Sequence, residues 1–439
     1  MQAVIIAGGK GTRLKELTGD LPKPLVDICG KPLLEHQILL AKTHGIERIL
    51  LLTGFGAEAI EDYCGDGSKW GLRIQYHREP QPLGTAGAVL DAFPHLVHDF
   101  IVIYADTMLN VDLRRFSSFH TASPGITAFL HPNDHPQDSD LIEIDEANRI
   151  TALHPYPHPP GQYFRNLVNA ALYVVRKDAI APWYQRRAEL SYPFDFAKHL
   201  FPEMIAGGGN LRGYVSREYI KDAGTPERVY RVREDYLSGR IDVASLQNPK
   251  PAVFFDRDGT LNVDSGWIKS PAELALLPGA AQAVRAVNQS GRLAVVVTNQ
   301  TVIARGDCSE SGLRLIHNKF EWLLGQEHAF VDGIYYCPHH PHKGFPGERP
   351  ELKVPCDCRK PATGLFEKAA ADLNIDAERS WMIGDSADDM EAAMQFGIHS
   401  ILVKTGRQGR QPSRPPDFVC TNVLDAVQFI AQQEEQRQP

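Results

Sequence analysis

The chain has 439 residues, a length that predicts two or three domains. Hydrophobic residues make up 43% of it, enough for each half to bury a core, and the formal net charge of −8 argues against a nucleic-acid-binding protein. No apolar run reaches the roughly 18 residues of a membrane span, and the N-terminus lacks the pattern of a signal peptide. We therefore expect a cytoplasmic protein that binds neither nucleic acid nor membranes; a homo-oligomer stays open.

Short apolar strands alternate with longer helical patterns in both halves, which is typical of α/β folds. Each strand is followed by polar or small residues, at the carboxyl end where open α/β sheets bind ligands. The clearest strands are predicted at 3–7, 48–53 and 100–104 in the first half, and at 252–255, 293–297, 381–383 and 400–403 in the second.

A stretch with Gly, Ser, Asn and two Pro separates the halves, at residues 237–251. The halves carry different motifs, so each is expected to have its own active site. We expect one domain over residues 1–240, a linker over 241–251, a second domain over 252–425 and a polar tail over 426–439.

A glycine-rich turn follows the first strand, with the sequence Gly8-Gly9-Lys10-Gly11-Thr12-Arg13-Leu14. Glycines allow backbone amides to approach phosphates closely. The spacing fits neither a Walker loop nor a dinucleotide fingerprint. Further features follow in order: Lys23 between two prolines, a small-residue turn at Gly84 and Thr85, a strand-end Asp106 and a late Asp222.

This ordered set resembles the sugar-phosphate nucleotidylyltransferase family over about residues 1–235. The resemblance implies a mixed α/β sheet of the nucleotide-diphospho-sugar-transferase type. It also implies Mg²⁺-dependent transfer of a nucleotidyl group from a nucleoside triphosphate to a sugar phosphate. Cations are needed because two phosphates must approach each other. The implied roles are nucleotide binding by Gly8, Gly9, Gly11, Thr12, Gly84 and Thr85, charge neutralisation by the catalytic Arg13 and Lys23, Mg²⁺ binding by Asp106 and Asp222, and sugar binding by Asn169.

Some positions depart from the family pattern. Ala105 and Ala171 stand where glycine is usual, and Leu153-His154-Pro155 replaces the usual Glu-Lys-Pro. These positions lie on the sugar side, so they leave the identity of the sugar open. A single strand-end aspartate is a cap or turn residue about as often as a metal ligand, so the metal site depends on the whole set.

Two aspartates follow the first strand of the second half, in Asp256-Arg257-Asp258-Gly259-Thr260. Such a pair suits covalent phosphoryl transfer, because one carboxylate can attack phosphorus while the other protonates the leaving oxygen. An isolated Asp-x-Asp is more often a turn. Here three further motifs follow in order: Thr298-Asn299-Gln300, Arg359-Lys360-Pro361 and Gly384-Asp385-Ser386.

This order resembles the haloacid-dehalogenase (HAD) phosphatase superfamily over about residues 252–405. The resemblance implies a Rossmann-like parallel sheet with a minimal cap, with Asp256 as nucleophile and Asp258 as general acid and then base. Asp389 is expected to support the site rather than to bind the metal. The other implied roles are phosphate binding by Thr298, Asn299, Arg359 and Lys360, and Mg²⁺ binding by Asp256, Asp258 through its carbonyl, and Asp385.

A cluster of potential metal ligands lies between these motifs: Cys337, His339, Cys356 and Cys358. Three thiolates and one imidazole form a closed tetrahedral set, which predicts a structural Zn²⁺. The segment between these ligands is rich in Pro and Gly and is not expected to become ordered by itself, so a bound Zn²⁺ could stabilise it. His340 and His342 are competing ligands, and free thiols in a loop are the alternative reading.

The second half also contains the motif Ile303-Ala304-Arg305-Gly306. With this motif and the preceding ones, it resembles the heptose-1,7-bisphosphate 7-phosphatase group, which has histidinol-phosphate phosphatases as relatives. Residues 106–113 resemble guanylyltransferases that act on heptose 1-phosphate. The resemblance implies two consecutive steps toward a nucleotide-activated heptose for surface glycans, with GTP as the nucleotide. Three alternatives remain: mannose 1-phosphate as the sugar, histidinol phosphate as the phosphatase substrate, and one half as a non-catalytic regulatory module.

Overall fold

The computed structural model describes residues 1–9, 14–19, 21–122, 125–344, 346–406 and 409–435. Two compact α/β units are present, as the sequence predicts. The first unit comprises Met1–His131, Ile142–Leu153 and Asn169–Ser245, and the second comprises Pro132–Leu141, His154–Val168 and Leu246–Pro439. Within the described residues, no helix is both long and apolar enough to span a membrane.

The first half of the chain contains thirteen strands and nine helices among its described residues. The strands are β1 (Gln2–Ala7), β2 (Asp27–Ile28), β3 (Lys31–Pro32), β4 (Arg48–Thr53), β5 (Arg73–Arg78), β6 (Asp99–Tyr104), β7 (Thr107–Asn110), β8 (Ile126–His131), β9 (Leu141–Ile144), β10 (Ile150–His154), β11 (Val168–Arg176), β12 (Leu211–Val215) and β13 (Tyr219–Asp222). The helices are α1 (Lys15–Thr18), α2 (Leu33–Thr43), α3 (Ala57–Cys64), α4 (Thr85–Asp91), α5 (Leu113–Thr121), α6 (Lys177–Gln185), α7 (Phe201–Ala206), α8 (Pro226–Leu237) and α9 (Arg240–Val243).

The sheet of the first half is mixed. Four successive strands, in the order β6-β1-β4-β5, are parallel. β11 pairs with the free side of β6 and runs antiparallel to it. β1 forms here because its residues are apolar and buried on both faces. Since β1 and β6 are parallel neighbours, their carboxyl ends bring the glycine turn and the segment around Asp106 to the same edge. A separate ribbon of β7 and β13 pairs Asp222 with Thr107, next to Asp106.

The second half contains six strands and five helices among its described residues. The strands are β14 (Lys250–Phe255), β15 (Leu293–Asn299), β16 (Gly333–Cys337), β17 (Ile375–Gly384), β18 (His399–Val403) and β19 (Phe418–Cys420). The helices are α10 (Ala280–Gln289), α11 (Glu310–Gly325), α12 (Gly364–Leu373), α13 (Ala387–Phe396) and α14 (Val423–Glu435).

All six strands of this sheet are parallel, in the order β16-β15-β14-β17-β18-β19. β14 lies inside the sheet, and its apolar residues alternate between two cores. Val253 and Phe255 pack into one, and Ala252 and Phe254 pack into the other. The carboxyl ends of β14, β15 and β17 therefore meet at one edge, as the sequence predicts for the second catalytic site.

The C-terminal segment differs from the expected polar tail. Residues 426–435 continue α14, and Ala426 and Ile430 are 0% and 2% exposed. The apolar residues Val423, Ala426, Val427 and Ile430 recur at helical spacing and pack into the core of the second unit. The segment packs onto the second unit because this face of α14 is apolar. Its opposite face is polar, which explains the polar composition.

Two segments of the first half of the chain belong to the second unit and pack on α11. Asn318 donates a side-chain hydrogen bond to the carbonyl of Tyr163, at 3.1 Å. The backbone N–H of Asn166 donates to Glu321 at 3.1 Å, and the Tyr163 and Trp322 rings lie 5.2 Å apart. The second unit is thus completed by two segments that lie well before the interdomain segment in the chain.

Candidate active sites

An acidic pair bridged by a lysine lies at the edge of the first unit's sheet. Lys23 Nζ is 2.5 Å from Asp106 Oδ2 and 3.9 Å from Asp222 Oδ1. The N–H of Ala223 donates to the Asp106 carbonyl at 2.7 Å, which fixes the two aspartates beside each other. Arg228 also pairs with Asp222. Both carboxylates are partly exposed, so an incoming divalent cation can reach them.

Gln37 positions this edge, and sequence reasoning missed it. Its side chain is 1% exposed and donates hydrogen bonds to the carbonyls of Tyr104, at 2.9 Å, and Thr107, at 2.6 Å. These two bonds hold the turn that carries Asp106. The available signal was a polar amide among the apolar positions of α2, where an unpaired amide would be costly.

The glycine turn begins where the Glu79 side chain lies against the Gly8 backbone. A Cβ at Gly8 would collide with the Glu79 carboxylate, whereas one at Gly9 would meet no atom within 4 Å. Gly8 therefore allows close backbone packing, and Gly9 lies beside open space. The predicted nucleotide-binding residues Gly11 and Thr12 and the catalytic Arg13 lie outside the described residues.

The second small-residue turn is locked by a distant aspartate. Gly84 has a φ of +81°, and a Cβ there would lie 2.6 Å from the backbone nitrogen of Phe194. The N–H and hydroxyl of Thr85 both donate to Asp195 Oδ1, at 2.9 and 3.1 Å. Sequence reasoning missed Asp195, because 110 positions separate it from Thr85 and no local pattern links them.

The predicted sugar-binding Asn169 lies in β11. Its side-chain amide donates to the Tyr173 hydroxyl at 2.8 Å, and its Oδ1 accepts from the N–H of Ala171 at 3.1 Å. Ala171 has a φ of +56°, in the left-handed region that favours glycine. The backbone thus keeps the conformation typical of glycine, although this chain has alanine there.

The second unit's edge holds a buried cluster of three carboxylates and one ammonium. Lys360 Nζ lies 2.7 Å from Asp256 Oδ1 and 2.5 Å from Asp389 Oδ1, and it donates to the Val297 carbonyl at 2.7 Å. Asp256, Asp385 and Asp389 each offer a carboxylate oxygen within 4.8 Å of the others. Their charges exceed that of one lysine, so the cluster is suited to a divalent cation.

Electrostatics reinforce this reading. Burial, together with the neighbouring carboxylates, raises the pKa of Asp256 to about 7 and that of Asp385 to about 8, although Lys360 acts in the opposite direction. Burial disfavours the charged form of Lys360, but Asp256 and Asp389 outweigh it and raise the lysine pKa. The lysine therefore stays charged, and a further positive charge beside the two aspartates would favour their ionised forms at neutral pH.

Asp258 is surrounded by hydrogen-bond donors that the sequence analysis did not assign. Arg257 Nη2 lies 2.9 Å from both carboxylate oxygens, Asn262 donates at 2.9 Å and Gln300 donates at 2.8 Å. Burial raises the pKa of Asp258, but Arg257 and these hydrogen bonds outweigh burial and lower it. Gln300 also donates to Thr298 Oγ1 at 2.9 Å, which joins Asp258 to the predicted phosphate-binding threonine.

The other two predicted phosphate-binding residues lie beside Lys360. Asn299 accepts from the Lys360 N–H at 3.0 Å and donates to its carbonyl at 3.1 Å, so it orients the lysine backbone. Arg359 Nη1 donates to Thr301 Oγ1 at 3.1 Å and to the His339 carbonyl at 3.2 Å. Arg359 thereby links the loop after β15 to the cysteine cluster.

The four predicted zinc ligands come together. Cys337 Sγ lies 3.1 Å from Cys358 Sγ and 3.6 Å from both Cys356 Sγ and His339 Nδ1. Cys358 Sγ lies 3.3 Å from His339 Nδ1 and 3.5 Å from Cys356 Sγ. Tetrahedral bonds of about 2.3 Å to sulfur and 2.0 Å to nitrogen place such atoms about 3.5–3.8 Å apart. Cys337, Cys356 and Cys358 are all free thiols. The donor set therefore suits a tetrahedral metal ion, and binding the ion would move Cys358 Sγ slightly away from Cys337 Sγ and His339 Nδ1.

The competing histidines do not join this cluster. His340 Nδ1 lies 3.3 Å from the His342 carbonyl, and the four-ligand group contains His339 instead. Of the remaining cysteines, Cys64 and Cys308 are buried, whereas Cys29 and Cys420 are partly exposed.

Comparisons with known proteins agree with this division into two enzymes. The sequence pattern of the nucleotidyl transferase family matches residues 2–239, more than half of the chain, and that of HAD-hydrolase-like proteins matches residues 357–426.

Curated relatives of the second half are sugar-bisphosphate phosphatases. The D-glycero-beta-D-manno-heptose-1,7-bisphosphate 7-phosphatase of Haemophilus ducreyi is 39% identical over 184 residues, covering 41% of this chain and 98% of the relative. The protein of the same name from Vibrio cholerae is 41% identical over 182 residues, covering 41% of this chain and 94% of the relative.

Among solved structures, HddC from Yersinia pseudotuberculosis is 27% identical with a TM-score of 0.45, covering 54% of this chain and 99% of that protein. The chain therefore belongs to the nucleotidyl transferase family through residues 2–239, and its second half is a HAD-type phosphatase that resembles the heptose-1,7-bisphosphate 7-phosphatases.

Proposed function

We propose that the chain catalyses two consecutive steps toward a nucleotide-activated heptose. The second half removes the 7-phosphate of D-glycero-D-manno-heptose 1,7-bisphosphate, and the first half transfers GMP from GTP to the resulting heptose 1-phosphate. The proposal rests on one observation: a single chain contains both a nucleotidyl transferase domain and a relative of the heptose-1,7-bisphosphate 7-phosphatases. The phosphatase product is a sugar 1-phosphate, which is the acceptor class that the transferase requires.

The anomer passes unchanged between the two steps, because hydrolysis at C7 does not touch C1. The anomer that the phosphatase accepts therefore sets the one delivered to the transferase. The choice of guanine rests on the resemblance of residues 106–113 to guanylyltransferases.

In the phosphatase step, Asp256 attacks the 7-phosphate, and the bond between phosphorus and the C7 oxygen breaks. Asp258 is the acid that protonates that oxygen and the base that then takes a proton from the water that hydrolyses the aspartyl phosphate. Because Arg257 and the neighbouring hydrogen bonds lower the pKa of Asp258, this role requires that Asp258 gain a proton as the anionic substrate binds. Lys360 and Thr298 hold the phosphate oxygens, and Asn299 keeps the lysine in place. Mg²⁺ held by Asp256, Asp385 and the Asp258 carbonyl would offset the repulsion between the two anions.

In the transferase step, a phosphate oxygen of the sugar attacks the α-phosphorus of GTP, and pyrophosphate leaves. No general base is required, because the attacking oxygen is already anionic. Lys23 neutralises negative charge at the reacting phosphates. Gln37 holds the turn at the end of β6 that carries Asp106. Mg²⁺ held by Asp106 and Asp222 would screen the charge of the triphosphate.

We also propose a structural Zn²⁺ held by Cys337, His339, Cys356 and Cys358. All four donors come from the protein, which leaves no position for a substrate. Cys358 is two residues before Lys360, so an ordered metal site would also hold the backbone that carries this lysine.

A single incubation tests the two activities. The purified chain receives Mg²⁺, one anomer of heptose 1,7-bisphosphate and one nucleoside triphosphate, and phosphate and pyrophosphate release are followed separately. Mannose 1-phosphate and histidinol phosphate serve as competing substrates. We expect both products with GTP and the heptose; faster turnover of either competitor would contradict the assignment.

Two variants separate the sites. Asp256→Asn should abolish phosphate release and leave pyrophosphate release from heptose 1-phosphate intact, and Asp106→Asn should do the reverse. Circular dichroism checks that both variants are folded. Loss of both activities in either folded variant would contradict two independent sites.

A further inference from the structure

A short segment that follows β18 lies directly against the Asp385 side chain. β18 runs parallel to β17, the strand that ends immediately before Asp385. Because parallel neighbours end at the same edge of the sheet, the residues after β18 arrive beside the carboxylate cluster of the second unit. Two of these residues are Thr405 and Gly406, which belong to none of the sequence motifs assigned to catalysis.

The close approach of Gly406 to Asp385 leaves no room for a side chain. A Cβ on Gly406 would lie 1.7 Å from Asp385 Oδ2, 2.3 Å from its Cγ and 2.6 Å from its Cβ. Carbon atoms in ordinary contact are about 3.5–4.0 Å apart. Rotation of the aspartate about its Cα–Cβ bond moves Cγ and Oδ2 but leaves Cβ where it is. The clash is therefore relieved only if the backbone of one of the two residues shifts.

The requirement for glycine at this position is one of space and not of backbone conformation. The φ of Gly406 lies outside the left-handed region, so an alanine would meet no conformational penalty there. Gly259 differs, because its φ is +82° and a Cβ on it would lie 2.6 Å from Asp385 Oδ2 and 2.9 Å from the Gly406 Cα. The two glycines and the aspartate thus meet at one point, and Gly406 is the position where space alone can be tested.

A hydrogen bond joins this point to the turn that follows β14. The Thr405 hydroxyl donates to the Gly259 carbonyl at 2.6 Å. Gly259 directly follows Asp258, whose carbonyl is a proposed Mg²⁺ ligand. The segment after β18 is therefore tied to the backbone of one proposed ligand through Thr405, and it contacts the side chain of another, Asp385, through Gly406.

The position of the Asp385 carboxylate matters because it belongs to the proposed metal cluster. Asp385 offers an oxygen within 4.8 Å of oxygens of Asp256 and Asp389. Mg²⁺ requires nearly ideal octahedral geometry, with oxygens about 2.0–2.1 Å away, so it tolerates little displacement of a ligand. Substitution of groups that orient a metal ligand typically lowers metal affinity or activity by about 10–100-fold.

We propose that Gly406 and Thr405 are positioning residues of the phosphatase, which hold the Asp385 carboxylate in the geometry that binds Mg²⁺. The inference rests on the proposed phosphatase function and adds residues on which its metal site depends. Both residues act through metal ligands and not on the substrate. Their substitution therefore weakens metal binding and leaves the rate at saturating metal close to that of the wild type.

The test measures metal affinity directly. Mn²⁺, which prefers the same oxygen ligands as Mg²⁺, is titrated into the full chain while free Mn²⁺ is followed by electron paramagnetic resonance. An Asp106→Asn background removes the proposed metal site of the first unit. We expect Gly406→Ala to weaken Mn²⁺ binding by about 10-fold or more. Gly409→Ala is the matched control and should leave the affinity unchanged, because a Cβ there meets no atom within 4 Å.

Thr405 allows a second comparison that adds no atom at the crowded point. Thr405→Val removes the hydroxyl that donates to Gly259 and should weaken Mn²⁺ binding by about 3-fold or more. Thr405→Ser keeps that hydroxyl and should bind Mn²⁺ as the wild type does.

Phosphatase activity separates positioning from a loss of fold. In Gly406→Ala without the background change, the Mg²⁺ concentration for half-maximal phosphate release should rise by about 10-fold or more. The rate at saturating Mg²⁺ should approach that of the wild type, whereas a folding defect would lower the rate at every Mg²⁺ concentration. Pyrophosphate release by the first unit and the circular dichroism spectrum check that each variant is folded.

Unchanged Mn²⁺ affinity in folded Gly406→Ala, or equal weakening in Gly409→Ala, would overturn the positioning role and leave the phosphatase intact. If Gly406→Ala does not fold, unchanged affinity in Thr405→Val would overturn the role instead. A wild-type chain that binds Mn²⁺ at this site but does not hydrolyse heptose 1,7-bisphosphate would contradict the proposed substrate and leave the positioning role standing. Absence of Mn²⁺ binding in the Asp106→Asn background would contradict both.

Discussion

Lys360 and Asp389 form an ion pair with an N–O distance of 2.5 Å, and their side chains are only 2% and 1% exposed. Asp389 also caps α13, since its carboxylate accepts from the N–H of Ser386. Asp389 thus accepts a hydrogen bond that holds Lys360 in place, and it also lies beside the proposed metal site. Lys360 is held in place before any phosphate arrives.

Removing this lysine should affect stability and catalysis in different ways. Lys360→Met leaves two buried carboxylates uncompensated, and we expect the second unit to lose about 3–5 kcal/mol of unfolding free energy. Adding Asp389→Asn should recover part of that stability without restoring phosphatase activity, because Asp256 still lacks its partner. Urea denaturation and phosphate release measure the two effects. Restored activity in the double variant would show that Lys360 acts only through stability.

Magnesium should stabilise the second unit more as pH rises. The pKa of Asp256 is raised to about 7 and that of Asp385 to about 8, so the folded state holds these protons more tightly than the unfolded state. Without metal, the two protonated carboxyl groups contribute fully to the free energy of unfolding below their ordinary pKa of about 4. This contribution is lost as pH rises toward 8. Mg²⁺ replaces the protons, and the increase in Tm should grow between about pH 6 and 9.

The measurement is a thermal melt with and without Mg²⁺ across this pH range. An Asp106→Asn background removes the response of the first unit. In Asp385→Asn the pH-dependent gain should largely disappear. A gain that is constant with pH in the background variant would show that protons and metal do not compete at this cluster.

Zinc should be present at about one ion per chain and should depend on the cysteine cluster. Cys356→Ser is expected to bring the zinc content close to zero and to lower the Tm of the second unit. Cys420→Ser, at a cysteine outside the cluster, should leave zinc content unchanged. Elemental analysis of the purified chain provides the readout. Full zinc content in Cys356→Ser would contradict the ligand assignment.

Ala171 is an unfavourable residue for its backbone conformation. At φ +56° a non-glycine residue costs about 1–2 kcal/mol, while glycine costs about 0.5–1 kcal/mol in backbone entropy. Ala171→Gly should therefore stabilise the first unit by about 0.5–1 kcal/mol in urea denaturation. Ala170→Gly is the matched control in the same strand and should be destabilising. Equal effects of both substitutions would refute the conformational explanation.

Local patterns in the sequence were sufficient for the strands and for the residues that follow them. Buried parallel strands consist of uninterrupted apolar runs, and their carboxyl ends share one edge of the sheet, so Asp256, Thr298 and Asp385 could be expected together. The spacing of Cys337, Cys356 and Cys358 likewise indicated a metal cluster. The same reasoning made the end of the chain a polar tail, because it weighed composition above the helical spacing of Ala426 and Ile430.

The tertiary structure alone decided which distant residues support these groups. Asp195 reaches Thr85 across 110 positions, Gln37 reaches the turn that carries Asp106, and His339 rather than its neighbours turns toward the thiols. Such contacts depend on how packed elements are placed in space, and a hydrogen bond tolerates only a few tenths of an ångström. The sequence by itself determined which strand ends carry the candidate catalytic residues, and packing determined the partners that hold each charge in position.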